Sequence, residues 1–209
     1  MNQEAGHACK RGRRVRAAPF AVLVAAIFAM AACSLSGPPP TEYVLGTMPA
    51  ATPAILPQTG LQVIEVKRVQ LPDYLDTTDI LERKGNELIP RATGRWGERL
   101  SVGMTRALTA SLAARLPRMV VTATPPLERP ARQVLVEVAA FEPREDHQVV
   151  LVARWTVADN REVLVAEQVS LVEAIAGTDD SAVVTAMSRA LDELAGRLAA
   201  AIRSDGRPG

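Results

Sequence analysis

Three consecutive Val-rich stretches constrain this chain most: "RQVLVEVAAFEP" (132–143), "HQVVLVARWTV" (147–157) and "REVLVAEQVSLVEA" (161–174). Only Arg144-Glu145-Asp146 and Asp159-Asn160 separate their cores. Val favours pleated, half-buried backbone, and connections this short join antiparallel neighbours, so the three predict a meander. A sheet that apolar needs a cover. Two helical patterns supply it. In "RWGERLSVGMTRALTASLAARLP" (95–117), Trp96, Leu100, Met104, Leu108, Leu112 and Leu116 recur every fourth residue, and the helix must end before Pro117. Gly103, Ala107 and Ser111 fill the same side and would let that helix sit close on a sheet. In "DDSAVVTAMSRALDELAGRLAAAIRS" (179–204), Asp179 or Ser181 can cap, and Val184, Met187, Leu191, Leu194, Leu198 and Ile202 form one face.

Shorter strands precede these elements. "LQVIEVKRVQLP" (61–72) alternates until Pro72 stops it, "DILERKGNELIP" (79–90) reads as a hairpin about Lys84-Gly85-Asn86, and "MVVTAT" (119–124) is a short strand. Strands on either side of two long helices argue for an α+β fold, a mainly antiparallel mixed sheet with two amphipathic helices packed on it.

The N-terminal region is built differently. Lys10, Arg11, Arg13, Arg14 and Arg16 are followed by an apolar run from Ala17 to Ala32, the layout of a signal peptide. A permanent span needs about 20 apolar residues, and this Ala-rich run is shorter and interrupted by Pro19. It ends in Met30-Ala31-Ala32-Cys33, which resembles the lipobox of bacterial lipoproteins. That resemblance implies removal of residues 1–32 and lipidation of Cys33 on sulfur and amino group. At about 0.8 kcal/mol per buried CH₂, several acyl chains anchor durably where one does not. The ordinary signal peptidase is the alternative, since Ala-x-Ala patterns fit it too. Ser34 stands where an Asp would resemble the inner-membrane retention signal, so the pattern points to the outer membrane. Residues 33–60 then hold the acylated cysteine and a Pro-rich tether, "SLSGPPPTEYVLGTMPAATPAILPQTG" after Cys33, in which Tyr43 to Leu45 is the one place able to lie down as a short strand. Residues 61–204 form the domain.

Composition excludes several functions. Without residues 1–32 the chain keeps 19 basic and 22 acidic residues, a net charge of −3, and aromatics are 3% of the chain. Neither a basic footprint nor a stacking platform is present, which excludes nucleic acid as the expected partner. Cys9 falls in the signal and Cys33 is the acylation site, so the domain has no cysteine for a disulfide, thiolate metal site or nucleophile. No phosphate-binding glycine motif occurs. His147 opens a strand pattern and reads as a turn histidine rather than a catalytic base. Asp73, Asp76 and Asp79 recur every third residue, which does not match the alternate spacing of calcium loops, so they read as solvated loop carboxylates. No catalytic set, metal site or cofactor is expected. Trp96 and Trp155 read as core.

The stretch "VQLPDYLDTTDILERKGNELIPRATGRWGERL" (69–100) resembles the signature of the ABC-transport auxiliary lipoproteins, the family of paraquat-inducible protein C and its relatives. The matching residues are Leu71, Pro72, Tyr74, Leu75, Asp76, Arg83 and Trp96, the last opening the first helix in that pattern, with Tyr43 and Leu45 matching the family's Tyr-x-Leu segment. Thr77, Thr78 and Gly97 depart from the pattern in the loop. The resemblance implies an outer-membrane-anchored periplasmic lipoprotein without catalysis, an accessory subunit of an intermembrane lipid transport system. Its implied partners are a lipid-binding MCE-domain protein and an inner-membrane component; a homo-oligomer stays open. Tyr74 and Leu75 are the partner-binding residues on this reading, with packing under the hairpin as the alternative. A lipoprotein partner for lipopolysaccharide insertion or cell-wall synthase activation, and an envelope hydrolase, are the competing functions.

Overall fold

The computed structural model describes residues 38–46, 61–127, 129–159 and 162–204. They form eight strands and two helices in the order β1 (Thr41–Tyr43), β2 (Gln62–Val66), β3 (Asp79–Lys84), β4 (Glu87–Trp96), α1 (Leu100–Arg115), β5 (Met119–Thr122), β6 (Arg132–Pro143), β7 (Gln148–Asp159), β8 (Glu162–Ala174) and α2 (Asp180–Ser204). The fold is α+β, with the strands divided between two sheets. The larger runs β5-β2-β6-β7-β8 and the smaller β1-β4-β3.

The expected meander is β6, β7 and β8, antiparallel throughout. β2 pairs in parallel with both β5 and β6. Alternation along β7 turns Leu151, Ala153, Trp155 and Val157 into the core, where α2 covers them. All six residues assigned to the α2 stripe are buried, and Asp179 is its cap, its Oδ1 accepting from Ala182 N at 3.0 Å.

The tight turn of the hairpin lies where Gly85 was expected to make it, at φ +58°, a left-handed conformation that glycine adopts without steric penalty. β4 continues well past the hairpin to Trp96. This corrects the expected start of the first helix. Trp96 ends a strand, its N–H donating to Thr78 O at 2.7 Å and that of Gly97 to Tyr43 O at 2.8 Å. The four-residue repeat runs on through Trp96 because a strand end and a helix both point side chains into one core, where Trp96 is buried. The run 61–72 is likewise broken after Val66, since Val69 N donates to the helix hydroxyl Thr105 Oγ1 at 3.0 Å instead of to a strand. The chain then rejoins β6 at a single bridge, Gln70 to Glu137.

Small residues on α1 do not seat it on the sheet. A Cβ on Gly46 would lie 2.9 Å from that of Ala107, a Cβ on Gly103 would meet Glu98, and Ser111 Oγ donates to Asp192 of α2 at 2.6 Å. Ala107 makes room for the segment after β1, Gly103 for the Glu98 side chain, and Ser111 bonds the second helix. β1 pairs in parallel with β4, Leu45 is buried, and Gly46 N donates to Ser188 Oγ at 3.1 Å. Within the region read as tether, Thr41 to Gly46 is therefore part of the folded unit.

Candidate functional site

The signature residues converge where the small sheet meets β6. After Pro72 the chain turns tightly, Leu75 N and Asp76 N both donating to Pro72 O at 2.9 and 3.3 Å. Pro72 contributes the acceptor while its fixed φ disfavours any continuation of a strand. The turn drives Leu75 inward, to 2% exposure, and leaves Tyr74 at the surface, 37% exposed. Leu75 is therefore a core residue, which corrects its assignment as an exposed partner contact, because a side chain that apolar is stabilised by burial.

Asp76 is not a free loop carboxylate. Its Oδ1 accepts from Ser101 N at 3.0 Å and its Oδ2 lies 3.1 Å from Arg99 Nε. Helix α1 has no side-chain cap from its own N-cap residue, Arg99, and the first four N–H groups of a helix lack internal partners. Asp76 supplies one partner, and Thr77 O accepts from Leu100 N at 3.2 Å. Burial alone would raise the Asp76 pKa, but the Ser101 hydrogen bonds and the Arg99 guanidinium outweigh it and hold the carboxyl below its ordinary value. Asp73 and Asp79 are exposed. Among the described residues, no three His, Cys, Asp or Glu side chains are grouped so as to hold a metal ion.

Arg83, on β3, reaches across to β6. Its Nε lies 2.5 Å from Glu142 Oε1, and the Glu142 side chain is only 1% exposed. The remaining Glu142 oxygen accepts from Phe141 N at 2.9 Å. The hydrogen bond to Glu142 raises the Arg83 pKa against the opposing effect of burial. Arg83 Nη2 donates to Tyr74 Oη at 3.2 Å, with the guanidinium carbon 5.7 Å from the ring centroid. The phenol in turn points at Ala139 O, 3.4 Å away. Ala139 is the extra residue of a bulge in β6, between Val138, which faces Ala153, and Ala140, which faces Val152.

That bulge explains why Glu142 escaped sequence reasoning. Without it, Glu142 falls in phase with the core-facing Val134, Val136 and Val138; the extra residue shifts it to the opposite face, toward Arg83. A second cluster was equally invisible. Asp180, in the first turn of α2 and 4% exposed, is ion-paired to Arg91 and accepts from Thr93 Oγ1 at 2.6 Å. Gly94 beside it has no room for a side chain, since a Cβ there would lie 2.6 Å from Asp180 Oδ2. Any larger residue at 94 would push the helix end off β4.

Of the other residues singled out, His147 is a turn histidine, at φ +56° between β6 and β7, its N–H donating to Arg144 O at 3.2 Å. Trp96 and Trp155 are core residues. Cys33 lies outside the described residues. Chemically the cluster can lock elements together and present Tyr74; the Asp76 and Glu142 carboxylates and the Tyr74 hydroxyl already have partners within the domain.

Residues 43–199 match the model of a protein family described as the ABC-type transport auxiliary lipoprotein component. Among solved structures, the fold is similar to an uncharacterized protein at TM-score 0.63 and 20% identity, covering 69% of this chain and 95% of that one. It is also similar to protein XCC0632 from Xanthomonas campestris, of family DUF330, at TM-score 0.57 and 17% identity, covering 81% of this chain and 97% of that one. No curated protein sequence matches this chain.

Proposed function

The chain belongs to the family of ABC-type transport auxiliary lipoprotein components, and from that premise we propose that it is a non-catalytic docking subunit. On this reading Cys33 carries the lipid, the anchor is in the outer membrane because Ser34 replaces the retention Asp, and the domain stands on the periplasmic side. It serves an MCE-type intermembrane lipid transport system by binding an MCE-domain protein, and so supports envelope integrity.

One observation carries the reading. The signature residues form a structural lock: Leu75 in the core, Asp76 on the end of α1, Arg83 on Glu142, with Tyr74 as their exposed member. A site selected for reaction keeps at least one reactive group free and facing a cleft. An aromatic ring held rigidly at the surface by a cation and a carbonyl is instead a suitable contact residue, because little entropy remains to be lost on binding.

The test is capture of the MCE-domain protein from the same envelope by the mature chain and by Tyr74→Phe and Tyr74→Ala. We expect Tyr74→Ala to weaken capture by about ten-fold or more, as truncating an interface anchor does, with melting close to wild type. Undiminished capture would move the interface elsewhere. Capture of a lipopolysaccharide-insertion or cell-wall-synthesis protein in place of the MCE protein would overturn the assignment to lipid transport.

A further inference from the structure

Helix α1 differs from α2 in its outward side. Its sixteen residues carry two charges, Arg106 and Arg115, and no acid. The side flanking β5 is Val102, Thr109, Ala110 and Ala113, and with Val121, Ala123 and Arg68 it walls an open groove of about 550 Å³. A helix side this poor in charge ordinarily faces other protein rather than water. Among the described residues β5 is the outer strand of the large sheet, and Val121 on it and Ala123 just past it line the groove, so a strand added to β5, at the usual spacing of about 4.8 Å, would run beside these residues.

We propose that this groove seats an extended peptide segment of a partner protein, added to β5 as a sixth strand, with alternate apolar residues facing α1 and a carboxylate facing Arg68. The inference deepens the docking role above by naming the chemistry of the docked segment, and it rests on that reading for the existence of a partner. From Val102 to Ala113 the groove runs about 17 Å at 1.5 Å per residue, room for about five residues of extended chain at 3.3 Å each.

Arg68 gives the site its polarity. Its guanidinium is held in place by Ser101 Oγ, which accepts from Nε at 3.1 Å and from Nη2 at 2.8 Å, and among the described residues it has no carboxylate within ion-pair distance. Arg106, at the same end, is already paired with Glu98 at 2.9 Å. A peptide is favoured over an acyl chain for two reasons. Apolar small-molecule sites bury about 70–90% of their ligand, and among the described residues this groove is walled only by α1, by the end of β5 and by Arg68. The outer edge of β5 also offers backbone donors and acceptors that only another backbone can use.

The test is titration of the mature chain with two labelled heptapeptides, one alternating Val with Glu and one alternating Val with Lys. The acidic peptide should bind at least about ten-fold more tightly than the basic one. Arg68→Glu, and Ala113→Trp, which fills the groove from an exposed position, should each weaken it about ten-fold. Arg154→Glu, on the far face of β7, should leave binding unchanged. Amide exchange at Met119–Thr122 should slow on binding, as strand addition requires; binding without that protection overturns the proposal. So does equal binding of both peptides, no binding of either, or displacement of the acidic peptide by phosphatidylglycerol vesicles. Self-association of the free chain that Ala113→Trp abolishes would give the groove to a second copy, and binding seen only after residues 50–58 are replaced by Gly and Ser would give it to the chain itself. If Ala113→Trp melts early, Arg68→Glu decides alone. Failure of the peptide titration leaves the Tyr74 capture result untouched, so the two readings fail separately.

Discussion

Asp76 and Ser101 are 25 residues apart in sequence, and the carboxylate of the first accepts the backbone N–H of the second at 3.0 Å. The helix is thus capped from a loop that precedes the hairpin, which ties the signature turn to the start of α1. Asp76→Ala should cost about 1–2 kcal/mol, the usual value of a lost cap. Asp76→Asn should cost less, since it keeps an acceptor for Ser101 N while losing the exposed Arg99 pair and the charge favoured at a helix N-terminus. Urea titrations of the three proteins would check the order; equal stabilities would mean that solvent satisfies Ser101 N just as well.

A second prediction concerns Arg83 and Glu142. Removing one partner of a buried pair leaves the other charge unpaired, which costs about 3–5 kcal/mol, whereas replacing both can be nearly neutral. Arg83 is 27% exposed at its side chain, so water reaches this pair from one side and the loss should sit at the lower end of that range. Arg83→Met should therefore be clearly destabilising, and Glu142→Leu in addition should recover much of the loss. Thermal melts of the single and double variants give the coupling directly; strict additivity would show that the two side chains act independently.

Much of this architecture was legible in the chain because it follows from periodicity. The meander, the hairpin about Gly85 and the buried face of α2 rest on apolar residues recurring at 2 or at 3.6, and the structure has each of them. What could not be read depends on events that alter the period or act at long range. The bulge at Ala139 moves Glu142 to the other face, the cap of α1 comes from Asp76 across the hairpin, and Trp96 continues a helical stripe from the end of a strand. The division into two sheets was equally hidden, since strand partners for β1, β3 and β4 depend on where the chain returns. Tyr74 and Leu75 looked alike in sequence, and only the turn at Pro72 separates an exposed ring from a buried leucine.

Acid should unfold the domain, and the sign follows from four carboxylates. In Glu65, Asp76 and Asp180 burial works to raise the pKa, but hydrogen bonds and neighbouring cations prevail and lower it. In Asp192 the Arg115 and Ser111 hydrogen bonds lower it against burial. A group whose folded pKa is depressed contributes its stability above the unfolded value, ordinarily 3.8 for Asp and 4.5 for Glu, and loses it as pH falls through the folded value. Stability should therefore be level above about pH 6 and begin to decline below about pH 5, falling further as the pH passes below 3.8. Asp180→Asn should shallow that fall. Urea midpoints measured from pH 7 to pH 3 would check it, and a decline centred above pH 6 would point to groups other than these carboxylates.

The last prediction concerns the anchor. No helix among the described residues is long and apolar enough to cross a membrane, and on the proposed reading attachment is through lipid on Cys33. Cys33→Ala should abolish incorporation of radiolabelled palmitate, because neither a thioether nor the acylated amino terminus created by cleavage can form. The chain should then either move to the periplasmic fraction or stay bound through an unprocessed signal, and its apparent mass distinguishes the two. Ser34→Asp keeps the cysteine and so should keep the label, while redirecting the protein from the outer to the inner membrane on a density gradient. Label persisting in Cys33→Ala would place acylation elsewhere and remove the lipid anchor from Cys33. Label retained in Ser34→Asp without a change of membrane would leave the lipoprotein assignment intact and remove only the outer-membrane one.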